Sequence, residues 1–373
     1  MHLVYFSAVP WASFAQRPHK FIEWLHARGA NKVLWVNPYP TRLPELNDFY
    51  RIKSSNSTQE YQSNNTSTPK WLTVLNPKSL PIEPLLGSKY INRLFWNDIL
   101  QKIDVFTQEK ECLICIGKPS DLALEALIRH PKTLSLYDAM DDFPAFYSGL
   151  SKLSMTRNER KTANNVSQLL VSSSTLTERF AIHQAKLTQV FNACDTSMLP
   201  PITYNNKKPT EIVLGYIGTI GHWFDWDLIF SLAEANSSMR IRLIGPIFVL
   251  PKKKMPPNID LLPACDHATA IQAMQSFSIG LIPFKCTELT SSVDPIKYYE
   301  YRSLGLPIIS SSFGEMSLRS NLKGVFFIDK HSDLNGVTKQ ALTYKCQNLE
   351  IQKFRIENSW EARFNAIRNL PYL

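Results

Sequence analysis

The stretch SSVDPIKYYEYRSLGLPIIS (Ser291–Ser310) reads as one helix followed by one strand. Pro295 suits the first turn of a helix, because its missing N–H has no partner there in any case. Asp294, just before it, is a residue type that caps helix N-termini. Gly305 ends the helix, and the apolar run LPIIS predicts a buried strand. A helix that leads directly into a buried strand is the repeating unit of parallel α/β proteins.

The same alternation of helix and strand continues along all 373 residues. Segments with helical apolar spacing, such as Arg17–Arg28, Lys89–Thr107 and Leu122–Arg129, separate short apolar runs. This pattern predicts two series of strands in parallel sheets covered by helices. The first series comprises His2–Ser7, Lys32–Asn37, Leu72–Leu75, Cys112–Ile116, Thr133–Leu136, Leu169–Ser172 and Gln189–Asn192. The second comprises Ile212–Ile217, Ile241–Ile244, Ile259–Leu261, Ile279–Ile282, Pro307–Ser310 and Gly324–Ile328.

A polar segment divides the two series of predicted strands. Pro200–Thr210 is rich in proline, asparagine and lysine, which predicts a linker. We therefore expect an N-terminal domain over 1–200, a C-terminal domain over 211–358 and a C-terminal helix, 359–373, that returns to the first domain. A second polar segment, Ser54–Pro69, predicts a long loop within the first domain.

Composition and charge exclude several classes of protein. The hydrophobic share of 44% and the charged share of 20% are typical of a globular domain. No apolar run approaches the roughly 18–20 residues of a membrane helix, and the N-terminus lacks the pattern of a signal peptide. The net charge of +9 is spread along the chain without a basic and aromatic stripe, so we expect no nucleic-acid partner. Weak contact with an anionic membrane surface fits the charge equally well.

The cysteines indicate a reducing compartment. Cys112 and Cys115 lie in one predicted strand, where alternate residues point to opposite faces, so the two thiols would not converge on a metal. We expect them to be buried thiols of a cytoplasmic protein.

Two segments of the second series favour a site for a nucleotide diphosphate. Gly218 and Gly221 follow a predicted strand, where glycines let the backbone approach a ligand. A full G-x-G-x-x-G pattern is missing, which argues against a dinucleotide-dependent dehydrogenase. Lys297 and Glu300 share a face of the helix that follows the hydroxyl-rich loop CTELTSSVD. The helix N-terminus and Lys297 could hold a phosphate and Glu300 a ribose diol, although a solvated helix with an internal ion pair explains the same residues.

Together these segments resemble the C-terminal half of GT-B glycosyltransferases. The resemblance rests on the order GYIGTIG, IRLIGP, SIGLIPF and SVDPIKYYEYRSLGLPIISS, and on VFNACD (Val190–Asp195), which is similar to the turn that often ends their first domain. The P-x-K-x-x-E-Y run, with QRPHKF and YDAMDDF, resembles bacterial polysaccharide glycosyltransferases of the teichuronic-acid and xanthan glucuronosyltransferase type. This implies a GT-B fold, with two Rossmann-like doubly wound α/β domains that face a central cleft.

The resemblance also implies a donor site in the second domain. Glu300 matches the glutamate that binds the nucleotide ribose, and Lys297 matches a lysine that contacts the donor phosphates. Gly218 and Thr219 lie in the loop that faces the diphosphate. Ser292 stands where many retaining members have a glutamate, and this departure favours an inverting reaction. The remaining predicted donor-binding residues are Gly221, His222, Ser291, Ser292 and Tyr298.

The catalytic base is expected in YDAMDDF, after the predicted strand Thr133–Leu136. Inversion at an anomeric carbon needs a carboxylate that takes the proton of the acceptor hydroxyl. Asp141 matches the aspartate position of the xanthan-type enzymes and is the predicted base. Asp138 and Asp142 are alternative bases, and the cap of a turn or helix is the structural alternative for each of the three aspartates.

The segment QRPHKF places Arg17 and His19 at the start of the first helix. In GT-B enzymes this position faces the cleft, so Arg17 is predicted to contact the diphosphate or the acceptor, and His19 to act in catalysis. A structural histidine is the alternative for His19. No metal is expected, because GT-B enzymes usually neutralise the leaving diphosphate with helix N-termini and basic side chains. No cofactor is expected either, since the nucleotide-sugar is a substrate.

The sequence thus predicts a glycosyltransferase that moves a sugar from a nucleotide-sugar, with UDP favoured, to a hydroxyl of a bacterial surface glycan or a lipid-linked oligosaccharide. We expect it to be inverting and metal-independent, in the cytoplasm or at the inner face of the membrane. Two alternatives stay open: a nucleotide-sugar epimerase on the same two-domain plan, and a glycan-binding protein without catalytic activity.

Overall fold

The computed structural model describes residues 1–43, 68–202, 211–367 and 370. The chain forms two compact units, one over Met1–Val190 with the described residues Ile367 and Leu370, and one over Phe191–Ala366. The predicted loop Ser54–Pro69 lies outside the described residues except for its last two. Of the predicted linker, 203–210 lies outside them as well.

The first unit is built on a seven-stranded parallel sheet with the order β3-β2-β1-β4-β5-β6-β7. Every residue of β1 and β4 is buried, as expected for central strands covered on both faces. The strands are β1 His2–Phe6, β2 Lys32–Val36, β3 Leu72–Leu75, β4 Cys112–Ile116, β5 Leu134–Ala139, β6 Gln168–Val171 and β7 Leu187–Gln189. The helices described here are α1 Arg17–Ala27, α2 Ser88–Glu109, α3 Asp121–Arg129, α4 Gly149–Asn165 and α5 Ser174–Arg179.

The second unit is built on a six-stranded parallel sheet with the order β10-β9-β8-β11-β12-β13. The strands are β8 Val213–Ile217, β9 Arg240–Ile244, β10 Ile259–Leu262, β11 Ile279–Ile282, β12 Ile308–Ser310 and β13 Val325–Phe327. The helices are α6 Trp226–Ala235, α7 His267–Gln275, α8 Glu288–Ser291, α9 Ile296–Ser303, α10 Gly314–Ser317, α11 Leu334–Thr343, α12 Asn348–Glu357 and α13 Trp360–Asn365.

Strand order reverses direction once in each sheet. In the first unit β1 lies between β2 and β4, and in the second β8 lies between β9 and β11. Ligands of open parallel sheets bind beyond the carboxyl ends of the strands at such a reversal. In the second unit the loop after β8 contains Gly218 and its predicted donor-binding neighbours, and the segment after β11 leads through α8 to α9, which carries Lys297 and Glu300.

Each predicted strand overlaps an observed one, and two of them differ from it by more than one residue at an end. β5 continues to Ala139, so Asp138 lies inside the strand instead of after it. β7 ends at Gln189, where Gln189–Asn192 had been predicted. The Val190 amide still donates to Val171 of β6, but its carbonyl accepts from Arg17 and the Asn192 amide donates to Asp294, so the strand pairing does not continue.

The two units divide the chain differently from the expected 1–200 and 211–358. Phe191–Ala366 forms the second unit and includes α13, whereas Ile367 and Leu370, from the same segment predicted to return to the first domain, belong to the first unit. Phe364 of α13 is fully buried, and Arg363 stacks over the rings of Phe191 and Tyr299. Among the described helices, none combines the length and the apolar character needed to cross a membrane.

Candidate functional site

Two glycine turns meet at the carboxyl edge of the second sheet. Gly218, after β8, has φ +146°, and Gly245, after β9, has φ +143°. The Gly218 amide donates to the carbonyl of Ile244 at 2.9 Å. A Cβ added at Gly245 would lie 2.1 Å from the Gly218 carbonyl oxygen, so only glycine permits this approach.

Lys297 and Glu300 of α9 lie beside the Gly218 turn. A Cβ placed on Gly218 would be 3.5 Å from Cε of Lys297, so the lysine side chain reaches the turn. Lys297 Nζ donates to Glu300 Oε2, and the other carboxylate oxygen of Glu300 is 3.9 Å from Nε2 of His267. The structure thus brings together Gly218, Lys297 and Glu300. It also contains the ion pair between Lys297 and Glu300 that the alternative interpretation, a solvated helix without a ligand, predicted.

The other predicted donor-binding residues differ in exposure and in hydrogen bonding. Ser292 is buried and its Oγ has no hydrogen-bond partner among the described residues, whereas Ser291 and His222 are exposed. The Thr219 carbonyl accepts from the Tyr216 hydroxyl at 2.8 Å. A Cβ on Gly221 would meet the ring of Trp223 at 2.7 Å, so this glycine is required for packing within its own turn.

Tyr298 is a packing residue in this structure. Its side chain is buried, and the Arg319 guanidinium lies 3.8 Å from its ring centre. The ring of Phe354 meets it edge-on at 5.8 Å. Burial raises the pKa of the Tyr298 hydroxyl, so it is a neutral group at physiological pH.

A buried ionic network fixes the start of α9. Asp294 accepts from the Asn192 amide at 2.8 Å, the Tyr299 hydroxyl at 2.8 Å and Arg319 Nη2 at 2.7 Å. The expectation that Asp294 caps α9 is wrong, because Pro295 occupies the N-cap position and the Asp294 carboxylate is used by these three donors. The network holds the helix that carries Lys297 and Glu300. Sequence patterns gave no sign of it, because Asn192 is 102 residues from Asp294.

Arg17 and Asp138 form a buried ion pair in the first unit. Arg17 Nη2 donates to Asp138 Oδ1 at 2.7 Å, and Nε donates to Oδ2 at 2.9 Å. Arg17 Nη1 also donates to the Val190 carbonyl at 2.7 Å. Asp138 is fully buried and Arg17 is 2% exposed. The pair therefore joins the start of α1 to the end of β5 and to the residue that follows β7.

Asp141 differs from the two neighbouring aspartates. Asp142 is paired with Arg179, which also binds Glu159. Asp141 is half-buried and has no ion pair with another described residue. Burial raises the pKa of Asp141 to about 7; Arg17 opposes this shift, while Asp138 and Asp142 add to it. A carboxyl group with a pKa near the working pH is suited to general-base catalysis.

His19 is held on both ring nitrogens at the N-terminus of α1. Its Nδ1 accepts from the Gln16 amide at 3.2 Å, and its Nε2 donates to the Trp11 carbonyl at 3.1 Å. The ring packs between Trp11 and Trp35, at centroid distances of 5.1 Å and 4.9 Å. Burial lowers the pKa of His19, so the imidazole is neutral. These contacts account for His19 as a capping residue, which was its structural alternative.

Metal-binding side chains do not cluster in the part of the chain that the structure describes. No group of three or more His, Cys, Asp or Glu residues there is placed to hold a metal ion. Cys112 and Cys115 are buried free thiols within β4.

No protein-family model matches the chain, and no curated protein matches it. Solved structures are similar over nearly the whole chain. Anabaena HepE in complex with UDP-glucose has a TM-score of 0.57 and 10% identity, and the match covers 98% of this chain and 94% of that chain. The catalytic domain of starch synthase IV from Arabidopsis thaliana, bound to ADP and acarbose, has a TM-score of 0.62 and 11% identity, with 98% of this chain and 99% of that chain covered. The lipopolysaccharide outer core galactosyltransferase WaaB has a TM-score of 0.57 and 11% identity, with 99% of this chain and 98% of that chain covered.

At this level of identity the similarity establishes the fold. The two parallel-sheet α/β units and these structural neighbours show that the chain has the GT-B fold, as the resemblance had implied. The narrower resemblance to teichuronic-acid and xanthan glucuronosyltransferase enzymes stays a prediction.

Proposed function

We propose that this protein is a glycosyltransferase that takes a sugar from a UDP-linked donor and transfers it to a glycan hydroxyl. The observation that carries the proposal is the meeting of the Gly218 and Gly245 turns with Lys297 and Glu300 at the carboxyl edge of the second sheet. Similar folds support it, because HepE was solved with UDP-glucose and starch synthase IV with ADP.

The donor diphosphate would bind where the free amides of α9 and the Lys297 ammonium group are close together. Helix N-termini bind anions through their unpaired N–H groups and the helix dipole. Lys297 would exchange its bond with Glu300 for a phosphate oxygen. The Glu300 carboxylate would then accept hydrogen bonds from the two ribose hydroxyls. As the glycosidic bond breaks, the same donors would stabilise the negative charge on the leaving nucleotide.

The chemical step is a single displacement with inversion at the anomeric carbon. The acceptor oxygen would attack that carbon, the nucleotide diphosphate would depart with the bonding electrons, and Asp141 would take the acceptor proton. The pKa of about 7 supports this role, since an appreciable fraction of the carboxyl is ionised at neutral pH and can still hold a proton. Ser292, just after α8, stands where many retaining members have a second glutamate. This is consistent with a mechanism in which no side chain at that position attacks the anomeric carbon.

The acceptor we propose is a bacterial surface glycan or a lipid-linked oligosaccharide, modified at the cytoplasmic face of the membrane. WaaB, a structural neighbour, is a galactosyltransferase of the lipopolysaccharide outer core. The net charge of +9 favours weak, peripheral attraction to an anionic lipid surface.

Nucleotide release tests the proposal. The protein is first screened by thermal shift with UDP, GDP, TDP and CMP, because a ligand of the native state raises the melting temperature. It is then incubated with UDP-hexoses and glycan acceptors, and released UDP is measured. Stabilisation by UDP and acceptor-dependent release support the proposal. An isomerised donor formed without acceptor would instead identify an epimerase, and no response to any nucleotide would refute the proposal.

Glu300→Ala should weaken UDP binding. Loss of the hydrogen bonds between the carboxylate and the ribose diol is expected to cost about 1.5–3 kcal/mol, or roughly 10- to 150-fold in Kd, measured by calorimetry. Glu23→Ala is the control, because Glu23 forms a similar i,i+3 pair with Lys20 on α1. Equal UDP affinity in the two variants would rule out the ribose role of Glu300.

Metal removal should leave transfer unchanged. Lys297 and the N-terminus of α9 would supply the positive charge that the leaving diphosphate needs. UDP release in EDTA should therefore match release in magnesium. An activity lost in EDTA and restored by magnesium would assign the charge neutralisation to a metal ion.

A further inference from the structure

The first unit exposes large apolar side chains on two helices and on the segment before one of them. Tyr90 and Leu94, four residues apart near the start of α2, are 76% and 74% exposed, and Leu86, which precedes the helix, is 94% exposed. On α4, Leu153 is 68% exposed, and Leu150 beside it is also exposed. We call the surface formed by Leu85, Leu86, Tyr90, Leu94, Leu150 and Leu153 the α2–α4 face.

The two parts of this face are held together by Glu83, which lies in the segment before α2. The Glu83 carbonyl accepts from Ser88 Oγ at 2.9 Å and from Ser154 Oγ at 3.5 Å. Asn158 Nδ2 donates to Glu83 Oε1 at 3.0 Å. Because Ser88 begins α2 and the other two partners lie on α4, these bonds bring the start of α2 close to the part of α4 that follows Leu153.

Cations lie beside the apolar side chains on both helices. Lys89 and Arg93 of α2 pair with Glu125 of α3. On α4, Lys161 and Arg160 are exposed. Burial raises the pKa of Asp121 at the start of α3, and the charges of Arg157, Lys89 and Lys161 oppose that shift. Cations from both α2 and α4 therefore act on the same carboxyl group. The described acidic residue of α4, Glu159, is buried against Arg179.

Protein surfaces that enter the headgroup region of a bilayer expose apolar side chains, such as leucine and tyrosine, next to lysine and arginine. Large apolar side chains that are exposed in one region of a protein cost free energy in water and mark an interaction site. We propose that the α2–α4 face docks the protein on a membrane that contains anionic lipid. This inference rests on the proposed function in one respect, since it names the partner that would present a lipid-linked acceptor.

Vesicle sedimentation tests the inference with the full-length protein and no nucleotide. Two vesicle types are compared, phosphatidylcholine alone and phosphatidylcholine with about 30 mol% phosphatidylglycerol, because anionic lipid attracts basic surfaces. We expect binding to the anionic vesicles only, weakened as salt rises from about 0.1 M to about 1 M. Binding to neither vesicle, or equal binding to both, would overturn the inference.

Leu94→Glu and Leu153→Glu should each weaken vesicle binding by about tenfold or more, because a carboxylate resists transfer into the interface. Leu349→Glu is the matched control, since Leu349 is 74% exposed on α12 of the second unit. Lys161→Glu should also weaken binding, compared with Lys330→Glu at an exposed lysine elsewhere. Equal binding by Leu94→Glu and Leu349→Glu would refute the inference.

Two further measurements separate membrane docking from self-association and from a failure of the proposed function. Sedimentation velocity without lipid should show a monomer in the wild type and in Leu94→Glu; a dimer that this variant abolishes would assign the face to a second copy instead. UDP affinity should be the same in the three variants of the face and in the two controls, Leu349→Glu and Lys330→Glu. Vesicle binding without nucleotide binding would leave the inference standing and refute the proposed function, whereas the opposite result would refute the inference alone.

Discussion

Asp141→Asn is expected to abolish sugar transfer while leaving UDP binding intact. The amide cannot take a proton from the acceptor hydroxyl, and removal of a general base costs about 10²- to 10⁴-fold in rate. UDP affinity should not change, because the residues proposed to bind the donor lie in the second unit. The measurements are kcat by UDP release and Kd by calorimetry. Asp142→Asn is the control, since Asp142 is paired with Arg179.

The pH dependence gives this prediction a second readout. With the pKa of Asp141 raised to about 7, kcat/KM should rise with pH below about 7 and level off above it. Asp142→Asn should keep a rising profile but shift it to lower pH, because the Asp142 charge contributes to the raised pKa of Asp141. Full turnover in Asp141→Asn, or a pH profile that is flat from 5 to 8 within error, would assign the base to another residue.

Asp141→Asn should lower activity but raise the thermal stability of the protein above neutral pH. A carboxyl whose pKa is raised by folding binds its proton more tightly in the native state, so its contribution to stability falls as pH rises from about 4 to about 7. Asp141→Asn removes this penalty. Its melting temperature relative to the wild type should therefore be higher at pH 8 than at pH 4. A base held at a cost in stability is common at active sites.

Asp138→Asn is expected to destabilise the first unit strongly. The substitution leaves the Arg17 guanidinium buried without its counter-charge, and breaking a buried ion pair by removing one partner costs about 3–5 kcal/mol. This is a large part of the roughly 5–15 kcal/mol that stabilises a typical domain. The measurement is the free energy of unfolding by urea titration.

The control for Asp138→Asn is Asp227→Asn, in the second unit. Asp227 pairs with Lys253 at 2.7 Å, but both side chains are largely exposed. Exposed ion pairs contribute little to stability, so this variant should unfold close to the wild-type urea concentration. If Asp138→Asn also unfolded there, Arg17 would have to be satisfied without Asp138, and the pair would not be structural.

Local patterns were sufficient to predict the strands and the proximity of Lys297 and Glu300. Buried strands such as Cys112–Ile116 are continuous apolar runs, and parallel sheets bury both faces. Lys297 and Glu300 are three residues apart on one helix, so their proximity follows from helix geometry. Gly218 was predicted to follow a strand, and it does follow β8; that strand order reverses at β8 is known only from the structure.

Long-range partners could not be predicted in the same way. Arg17 and Asp138 are 121 residues apart, and nothing in either segment identifies the other as its partner. The same holds for Arg319 and Asn192, which bind Asp294. Each carboxylate was therefore assigned a local role: a cap for Asp294, and a candidate base for Asp138. Burial decides such assignments, because a charge removed from water needs its counter-charge wherever that lies in the sequence.

The contact between Gly218 and Gly245 limits how this protein could be engineered. Any side chain at Gly245 would push the turn after β9 away from the turn after β8, since its Cβ would overlap a carbonyl oxygen at 2.1 Å. Libraries that aim to change sugar preference should therefore keep both glycines and vary the solvent-facing neighbour His222 instead. The two turns form a rigid frame, and new specificity has to be built on the side chains around it.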